Sequence, residues 1–533
     1  MTDSITPKWG RFEREFASSL SYDNSFQDVD LKVNFVSPSG RHFDIDGFWD
    51  GDNLWRVRFS PDEVGAWRYS TECSDTGNPA LHNQSGDFTC TEPDATTPFR
   101  EHGPVRLSAN RRHLVYEDGT PYFWLADTAW NGPLWASDED WEHYLSERTR
   151  QNFTAVQWVT TQWLAAPQGD ANNDLAYAGH ERISVNPAFF QRLDRRHEKI
   201  NQYGLLSAPV LLWTAGWTRG ESDLLSPGFT LPEDQAVRLG RYMLARWGAD
   251  AVLWILAGDG DYRGSKAERW KRIGRAIFGN QPHAPVTLHP QGLQWNMAEF
   301  QDETWLDIAG YQSCHWDNQD AYGWLVEGPP ATDWVRSPAR PIINLEPNYE
   351  DIGAIDTKRR FSDFDVRRAI YRSLLVAPTA GVTYGAHGVW DWSDGRRAAV
   401  GHEGFGIPHP WREGLQFLGA RQMRHLHQFF TSIEWWRLVP APDMVPNQPI
   451  PADKSRFVVA SRTETGDMGL VYLPDVPALE LDTRSLAASL CMEWLNARTG
   501  EMTEGVMETQ RIINLKIVPP GDGDWLVWFH QAN

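Results

Sequence analysis

Two acidic residues far apart in the chain, Asp259 and Glu346, each follow a short apolar run that reads as a buried strand. The runs are Ala251-Val252-Leu253-Trp254-Ile255-Leu256-Ala257 and Pro341-Ile342-Ile343-Asn344-Leu345. A lone acid at such a place is more often a helix cap or a surface charge. A pair is what acetal cleavage needs: one carboxyl that holds its proton for the departing oxygen, and a second that attacks or activates water. The first must have its pKa raised by burial while the second stays ionised. Asp259 and Glu346 are read as this pair, with Asp261 the nearest rival for Asp259. Asp127, Gln157, His289 and Gln312 stand at other strand ends and are expected to bind hydroxyls. Trp130, Trp213 and Trp390 are expected to stack on sugar rings, because those rings present C–H faces that lie flat on indole. His315, Tyr349 and His387 complete the expected substrate-binding set.

Other chemistries find less support. Gly258-Asp259-Gly260-Asp261 resembles the start of a calcium loop, but Arg263 stands at the third ligand position and Trp270 where a bidentate Glu is required. His402-Glu403-Gly404-Phe405-Gly406 is not HExxH, and His402 is read as a loop histidine. No GxSxG, P-loop or GxGxxG is present. The four cysteines, Cys73, Cys90, Cys314 and Cys491, have no zinc-ligand spacing and are expected to be free thiols. The reading therefore calls for no metal and no cofactor.

The elements that must hold these residues alternate between strand and helix from about residue 104 to 435. Eight short apolar strands are expected at Tyr122–Ala126, Ala155–Val159, Ser207–Trp213, Ala251–Ala257, Pro285–His289, Ile308–Gln312, Pro341–Leu345 and Val382–Ala386. Continuous apolar runs suit strands covered on both faces. Between them lie helix signals: Ser137 as a cap before Trp141, Tyr144, Leu145 and Arg148; Asn186-Pro187 opening a helix that Gly204 closes; Ser265 and Glu268 as a capping box. Eight such units predict an α/β fold, a (β/α)8 barrel, whose site lies at the C-terminal ends of the strands.

Residues 1–95 and 436–533 read differently. Short alternating segments such as Leu54-Trp55-Arg56-Val57-Arg58-Phe59 lie between turn clusters, and Gly469-Leu470-Val471-Tyr472-Leu473 and Trp525-Leu526-Val527-Trp528-Phe529 recur near the end. Both ends are expected to be β-sandwiches flanking the barrel. A barrel takes about 250 residues, so 533 residues accommodate all three.

A formal charge of −21 argues against nucleic acid and anionic membranes as partners. The expected partner is a carbohydrate, which 28 Trp, 24 Phe and 15 Tyr would suit, and a homo-oligomer is compatible with the sequence. Neither a basic and apolar leader nor an apolar run of about 18 residues is visible, so the expected location is cytoplasmic.

Several motifs carry a family resemblance. Trp9-Gly10-Arg11-Phe12-Glu13, Gly47-Phe48-Trp49-Asp50-Gly51 and Arg58-Phe59-Ser60-Pro61-Asp62-Glu63-Val64-Gly65 are similar to the uncharacterised β-domain that precedes many glycosidase barrels. Phe123-Trp124-Leu125-Ala126-Asp127-Thr128-Ala129-Trp130, Trp254-Ile255-Leu256-Ala257-Gly258-Asp259, Tyr311-Gln312-Ser313 and Asn344-Leu345-Glu346-Pro347-Asn348-Tyr349-Glu350 resemble the apiosidase-like barrels of glycoside hydrolase family 140. The C-terminal stretch is weakly similar to the collagen-binding-like domain that often follows them. The resemblance implies a β-glycosidase acting on apiose-type substrates, with acid/base at Asp259 and nucleophile at Glu346. One departure is plain: the large clan of retaining barrel glycosidases carries Asn-Glu after strand four, and this chain carries Gly258-Asp259. The alternatives are a carbohydrate-binding protein on a barrel without catalysis, and a different barrel hydrolase.

Overall fold

A computed structural model of the chain describes residues 4–215, 225–279, 283–378, 380–505 and 511–531. Eight parallel strands form its centre: β1 (Trp124–Thr128), β2 (Ala155–Val159), β3 (Leu206–Trp213), β4 (Trp254–Gly260), β5 (Val286–Pro290), β6 (Ala309–Gln312), β7 (Ile342–Glu346) and β8 (Gly381–Tyr384). They pair in the order β5-β4-β3-β2-β1-β8-β7-β6, and a parallel bridge from Thr287 of β5 to Ile308 joins the two ends. The result is the expected barrel.

Around it stand α1 (Asp138–Arg150), α2 (Pro187–Gln202), α3 (Glu233–Trp247), α4 (Ser265–Phe278), α5 (Gln319–Glu327), α6 (Asp363–Val376) and α7 (Leu418–Ser432). Ser137 caps α1 by accepting from the Asp140 amide, and Asn186 caps α2 by accepting from Phe189, as their spacing predicts. The capping box at α4 does not form. Ser265 is already inside the helix, the cap is Gly264 at φ +56°, and Glu268 pairs with Lys271 instead.

Residues 4–91 fold as a five-stranded sheet facing a three-stranded one. Alternating inward side chains interlock between them: Phe12 stacks on Phe88 at 4.1 Å and Phe35 on Phe59 at 4.3 Å. Three short strands, Val105–Leu107, Leu114–Tyr116 and Pro121–Tyr122, then form a small antiparallel sheet ahead of β1, which the periodicity did not reveal. From Leu438 to His530 a six-stranded antiparallel sheet is joined by a two-stranded ribbon. Cys73, Cys90, Cys314 and Cys491 are all free thiols.

Buried charges fix the flanking sheets to the barrel. Arg246 of α3 reaches Asp194 of α2 at 2.6 Å and Asp50 of the first sheet region at 2.8 Å, and Arg58 joins Asp194 at 2.9 Å. On the other side Arg367 of α6 grips Asp524 through two bonds of 3.0 and 2.7 Å, beside Tyr371 stacked on Tyr472. Buried pairs of this type add little net stability but are costly to break from one side, so each fixes an orientation. Among the described residues no helix is long and apolar enough to cross a membrane.

Candidate active site

The C-terminal ends of β4 and β7 bring Asp259 and Glu346 to one mouth, and irregular backbone aims both. Opposite Tyr311 and Gln312 of β6, β7 carries one extra residue, so Asn344 pairs with Tyr311 but Glu346 pairs with Gln312. Side chains alternate along a strand, so an unbroken β7 would turn Glu346 the same way as Asn344. Asn344 faces the helix layer, where its amide donates to Ser373 of α6 at 3.0 Å. The bulge reverses that direction for Glu346, a common use of bulges beside sites.

Two register shifts against β5 bracket Gly258, with Asp259 the extra residue in the second, and its φ is +57°. Asp is one of the few side chains that tolerates this region. Its flanking Gly258 is a packing requirement: a Cβ there would lie 2.4 Å from the Trp213 ring. The strand therefore runs three residues further than the apolar pattern suggests, and Asp259 sits within β4, not past it.

Gln312 holds Asp259 from the end of β6. Its side-chain amide donates to Asp259 Oδ1 at 2.8 Å and to the Pro290 carbonyl at 2.6 Å, while its own strand position is opposite Glu346. With Oδ1 taken as an acceptor, the acid proton belongs on Oδ2. Glu346 lies between two imidazoles, His315 Nε2 at 2.9 Å from Oε1 and His289 Nε2 at 3.3 Å from Oε2. A carboxylate can only accept, so His315 Nε2 carries its proton there, while His289 Nε2 lies close to Oε2 without hydrogen-bond geometry.

The surroundings push the proton affinities apart. Burial, then the charge of Glu346, raises Asp259 to about 7. Burial would raise Glu346 as well, but the imidazoles of His289 and His315 beside it outweigh this and hold the carboxylate well below its ordinary range. This is one acid protonated near neutrality beside one ionised group, the division that acid/base chemistry on an acetal requires.

An aromatic wall surrounds them. Trp130 meets Trp213 edge-on at 5.3 Å and His289 at 5.5 Å, and donates its indole N–H to the Tyr349 hydroxyl at 3.2 Å. Tyr349 leans on His315 at 4.7 Å, and its ring fits only because residue 385 is glycine: a Cβ there would lie 2.1 Å from it. The indole N–H groups of Trp213 and Trp390 and the Nδ1 atoms of His289 and His315 are buried without a protein partner. Buried polar atoms are nearly always bonded, so unpaired ones beside the two acids mark where hydroxyl groups would fit.

Several expected residues stand elsewhere. Asp127 does not face the mouth. It points to the opposite face of β1 and is fully buried against Tyr144 at 2.7 Å and Arg148 at 2.6 Å, both on α1. Parity decides this: Trp124 bonds Thr383 of the neighbouring β8 on the inner face, where Thr383 also approaches Gln157, so residues at odd spacing from Trp124 face the helices. Gln157 points inward but lies below the mouth, fully buried, with its amide on the Leu345 carbonyl at 3.0 Å. It bridges strands and is not available to a sugar. His387 donates Nδ1–H to the Asp351 carbonyl at 3.2 Å, and burial lowers it to about 3, so it braces a loop as a neutral ring.

Asp127→Ala is accordingly expected to leave Arg148 as an unpaired buried charge and cost about 3–5 kcal/mol of stability. Urea unfolding would read the loss, with KM of the folded fraction unchanged. A raised KM at unchanged stability would return Asp127 to the binding set.

Other wall residues carried no signal in the sequence reading. Trp163 packs on Trp213 at 4.4 Å and faces Trp390 at 6.5 Å. His402 is more than a loop histidine: it packs on Trp390 at 5.0 Å and Trp163 at 6.0 Å, with Phe405 behind it. Tyr262 donates to the His289 carbonyl at 3.2 Å, tying the end of β4 to β5. The cue for Trp163 was its position four residues past β2; for His402 nothing local distinguished it.

Comparison with known proteins identifies the family of the barrel. Residues 108–437 match the apiosidase-like catalytic domain family, and residues 5–74 match a domain of unknown function, DUF5060. A search among curated proteins finds no match. Among solved structures, a candidate glycoside hydrolase from Bacteroides vulgatus ATCC 8482 is 20% identical, covers 99% of this chain and 100% of its own, and superposes with a TM-score of 0.73. A glycoside hydrolase family 5 protein from the same organism is also 20% identical, with 82% and 94% covered and a TM-score of 0.69. At this identity the likeness is one of fold.

Proposed function

The chain belongs to the apiosidase-like family of catalytic domains and is a glycoside hydrolase; from that premise we propose that it cleaves a β-glycosidic bond with retention, by the pair Asp259 and Glu346. The observation that carries this reading is the joint geometry of the two acids. They come from strand ends of one mouth, their proton affinities are pushed apart, and they sit beside unpaired indole N–H groups and imidazole nitrogens.

In the first step Glu346 attacks the anomeric carbon as the bond to the leaving oxygen breaks. Asp259 passes the proton on Oδ2 to that oxygen. In the second step Asp259, now ionised, takes a proton from water as it displaces Glu346. His289 and His315 keep Glu346 ionised and fix its orientation. Trp213 and Trp390 lie where a sugar ring would stack, and their free indole N–H groups suit its hydroxyls.

The reading favours an exo-acting enzyme on short glycosides, with apiose and related furanosides first among the candidates. A panel of nitrophenyl furanosides and pyranosides, with product anomers followed by NMR, tests it. Release of the β-anomer first from a β-glycoside supports retention; the α-anomer first would mean water attacks directly. Tight sugar binding without turnover across the panel would mean a lectin-like barrel.

Gly258→Ala probes the support under Asp259. The added methyl must displace the Trp213 ring, at about 1–3 kcal/mol of overpacking strain. The expected result is a fall in kcat/KM on the order of tenfold or more, with the intrinsic Trp fluorescence changed. Unaltered kinetics would separate Trp213 from substrate.

A further inference from the structure

Among the described residues one set of side chains could hold a metal ion, and it includes the proposed nucleophile. Cys314, His315 and Glu346 each offer one ligand atom, and the three atoms lie within 4.8 Å of one another. The set is built by the fold at two levels. The Cys314 amide donates to the Glu346 carbonyl at 3.0 Å, which pins the end of β6 to the end of β7. Cys314 then turns through φ +55°, placing its thiol and the next residue's imidazole on the same side. His315 is almost fully buried, and its Nδ1 has no protein partner.

The donor types decide which ion would fit. One sulfur, one imidazole nitrogen and one carboxylate oxygen form a mixed soft and borderline set, suited to Zn²⁺ and its relatives and poorly suited to Mg²⁺ or Ca²⁺, which take oxygen. Around a tetrahedral zinc, bonds of about 2.0–2.3 Å put ligand atoms about 3.5 Å apart. His315 and Glu346 are already at 2.9 Å. The thiol alone needs to approach, by roughly 1 Å, within the reach of one side-chain rotation.

We propose that Cys314, His315 and Glu346 form an inhibitory site for zinc and similar soft divalent cations, which shuts the enzyme by occupying its nucleophile. The Cys314 thiol loses its proton to solvent and binds as thiolate. A ring nitrogen of His315 binds through its lone pair, releasing a proton if it carried one. A Glu346 oxygen supplies the third bond and water the fourth. No electron is transferred. Bound in this way, Glu346 has no free lone pair directed at an anomeric carbon. The inhibition half of the proposal rests on Glu346 as nucleophile; the binding half does not.

The experiment uses the whole chain, freed of metal by a chelator. Titration with Co²⁺ in place of Zn²⁺ is expected to give a near-ultraviolet thiolate-to-cobalt charge-transfer band at one equivalent. Cys314→Ser is expected to remove that band. With a glycoside substrate, Zn²⁺ at micromolar concentration is expected to abolish turnover, chelator to restore it, and Mg²⁺ to have no effect. Cys314→Ser should keep wild-type turnover in chelator and need at least about tenfold more Zn²⁺ for half inhibition.

A spectrum without the thiolate band, or equal zinc sensitivity in wild type and Cys314→Ser, overturns the site. Should Cys314→Ser fail to fold, the cobalt spectrum of the wild-type protein still decides. A chain that shows the thiolate band yet hydrolyses no glycoside would keep the metal site and remove the proposed reaction. Zinc bound through the thiolate with full turnover would keep the metal and remove Glu346 from its role.

Discussion

Glu346→Gln is expected to reduce turnover on the order of 10⁴-fold or more, the scale seen when a covalent nucleophile is removed. Stability should change little, since Gln keeps the shape, its one carbonyl oxygen can accept from His315 at 2.9 Å, and its NH2 can donate to the neutral ring of His289 at 3.3 Å after a change of tautomer. The variant has a second, sharper signature. Part of what raises Asp259 is the charge of Glu346, so neutralising Glu346 should lower the pKa of Asp259. Substrate affinity should survive in the dead enzyme, because the indole wall is untouched. Turnover within tenfold of wild type on every glycoside tested would remove Glu346 from the chemistry.

Asp259→Asn is expected to cost about 10²–10⁴-fold, the usual contribution of a general acid. The loss should depend on the leaving group: large for an alkyl or sugar alcohol, which needs the proton, and smaller for a dinitrophenolate, which leaves without it. The pH profile gives the sign. Asp259 must be protonated to donate, and with a pKa of about 7 it loses that proton as pH rises. Wild-type kcat/KM should therefore fall about tenfold per unit above pH 7. On the acid side Glu346 must be ionised, and its carboxyl is held below the ordinary range, so the acid limb should lie lower than a free carboxylate would place it. Because the acids interact, the two limbs belong to the pair and not to either residue alone. The basic limb should vanish in Asp259→Asn. An unchanged limb would assign it to another group.

The barrel was legible because its signals are local. Apolar runs of strand length, Ser137 and Asn186 as caps, and Gly204 as a stop all depend on near neighbours. The misplacement of Asp127 comes from direction. Asp127 and Glu346 both come at strand ends and look alike in sequence. Parity along an unbroken β1 turns Asp127 outward to Arg148, while one extra residue in β7 turns Glu346 inward. Whether a strand contains a bulge depends on its partner's register, which no single segment records. His402 illustrates the same limit, since it reaches Trp390 and Trp163 only after the loop after β8 folds back over the mouth.

By itself the sequence determined which residue types were available and which elements would carry them: eight buried strands, their helices, sheets at either end and two acids at strands four and seven. The tertiary structure alone decided how those acids differ. Proton affinity is set by burial and by neighbouring charge, and the neighbours here come from strands four, five, six and seven together. Only in the closed barrel does Gln312 reach Asp259 while His289 and His315 reach Glu346.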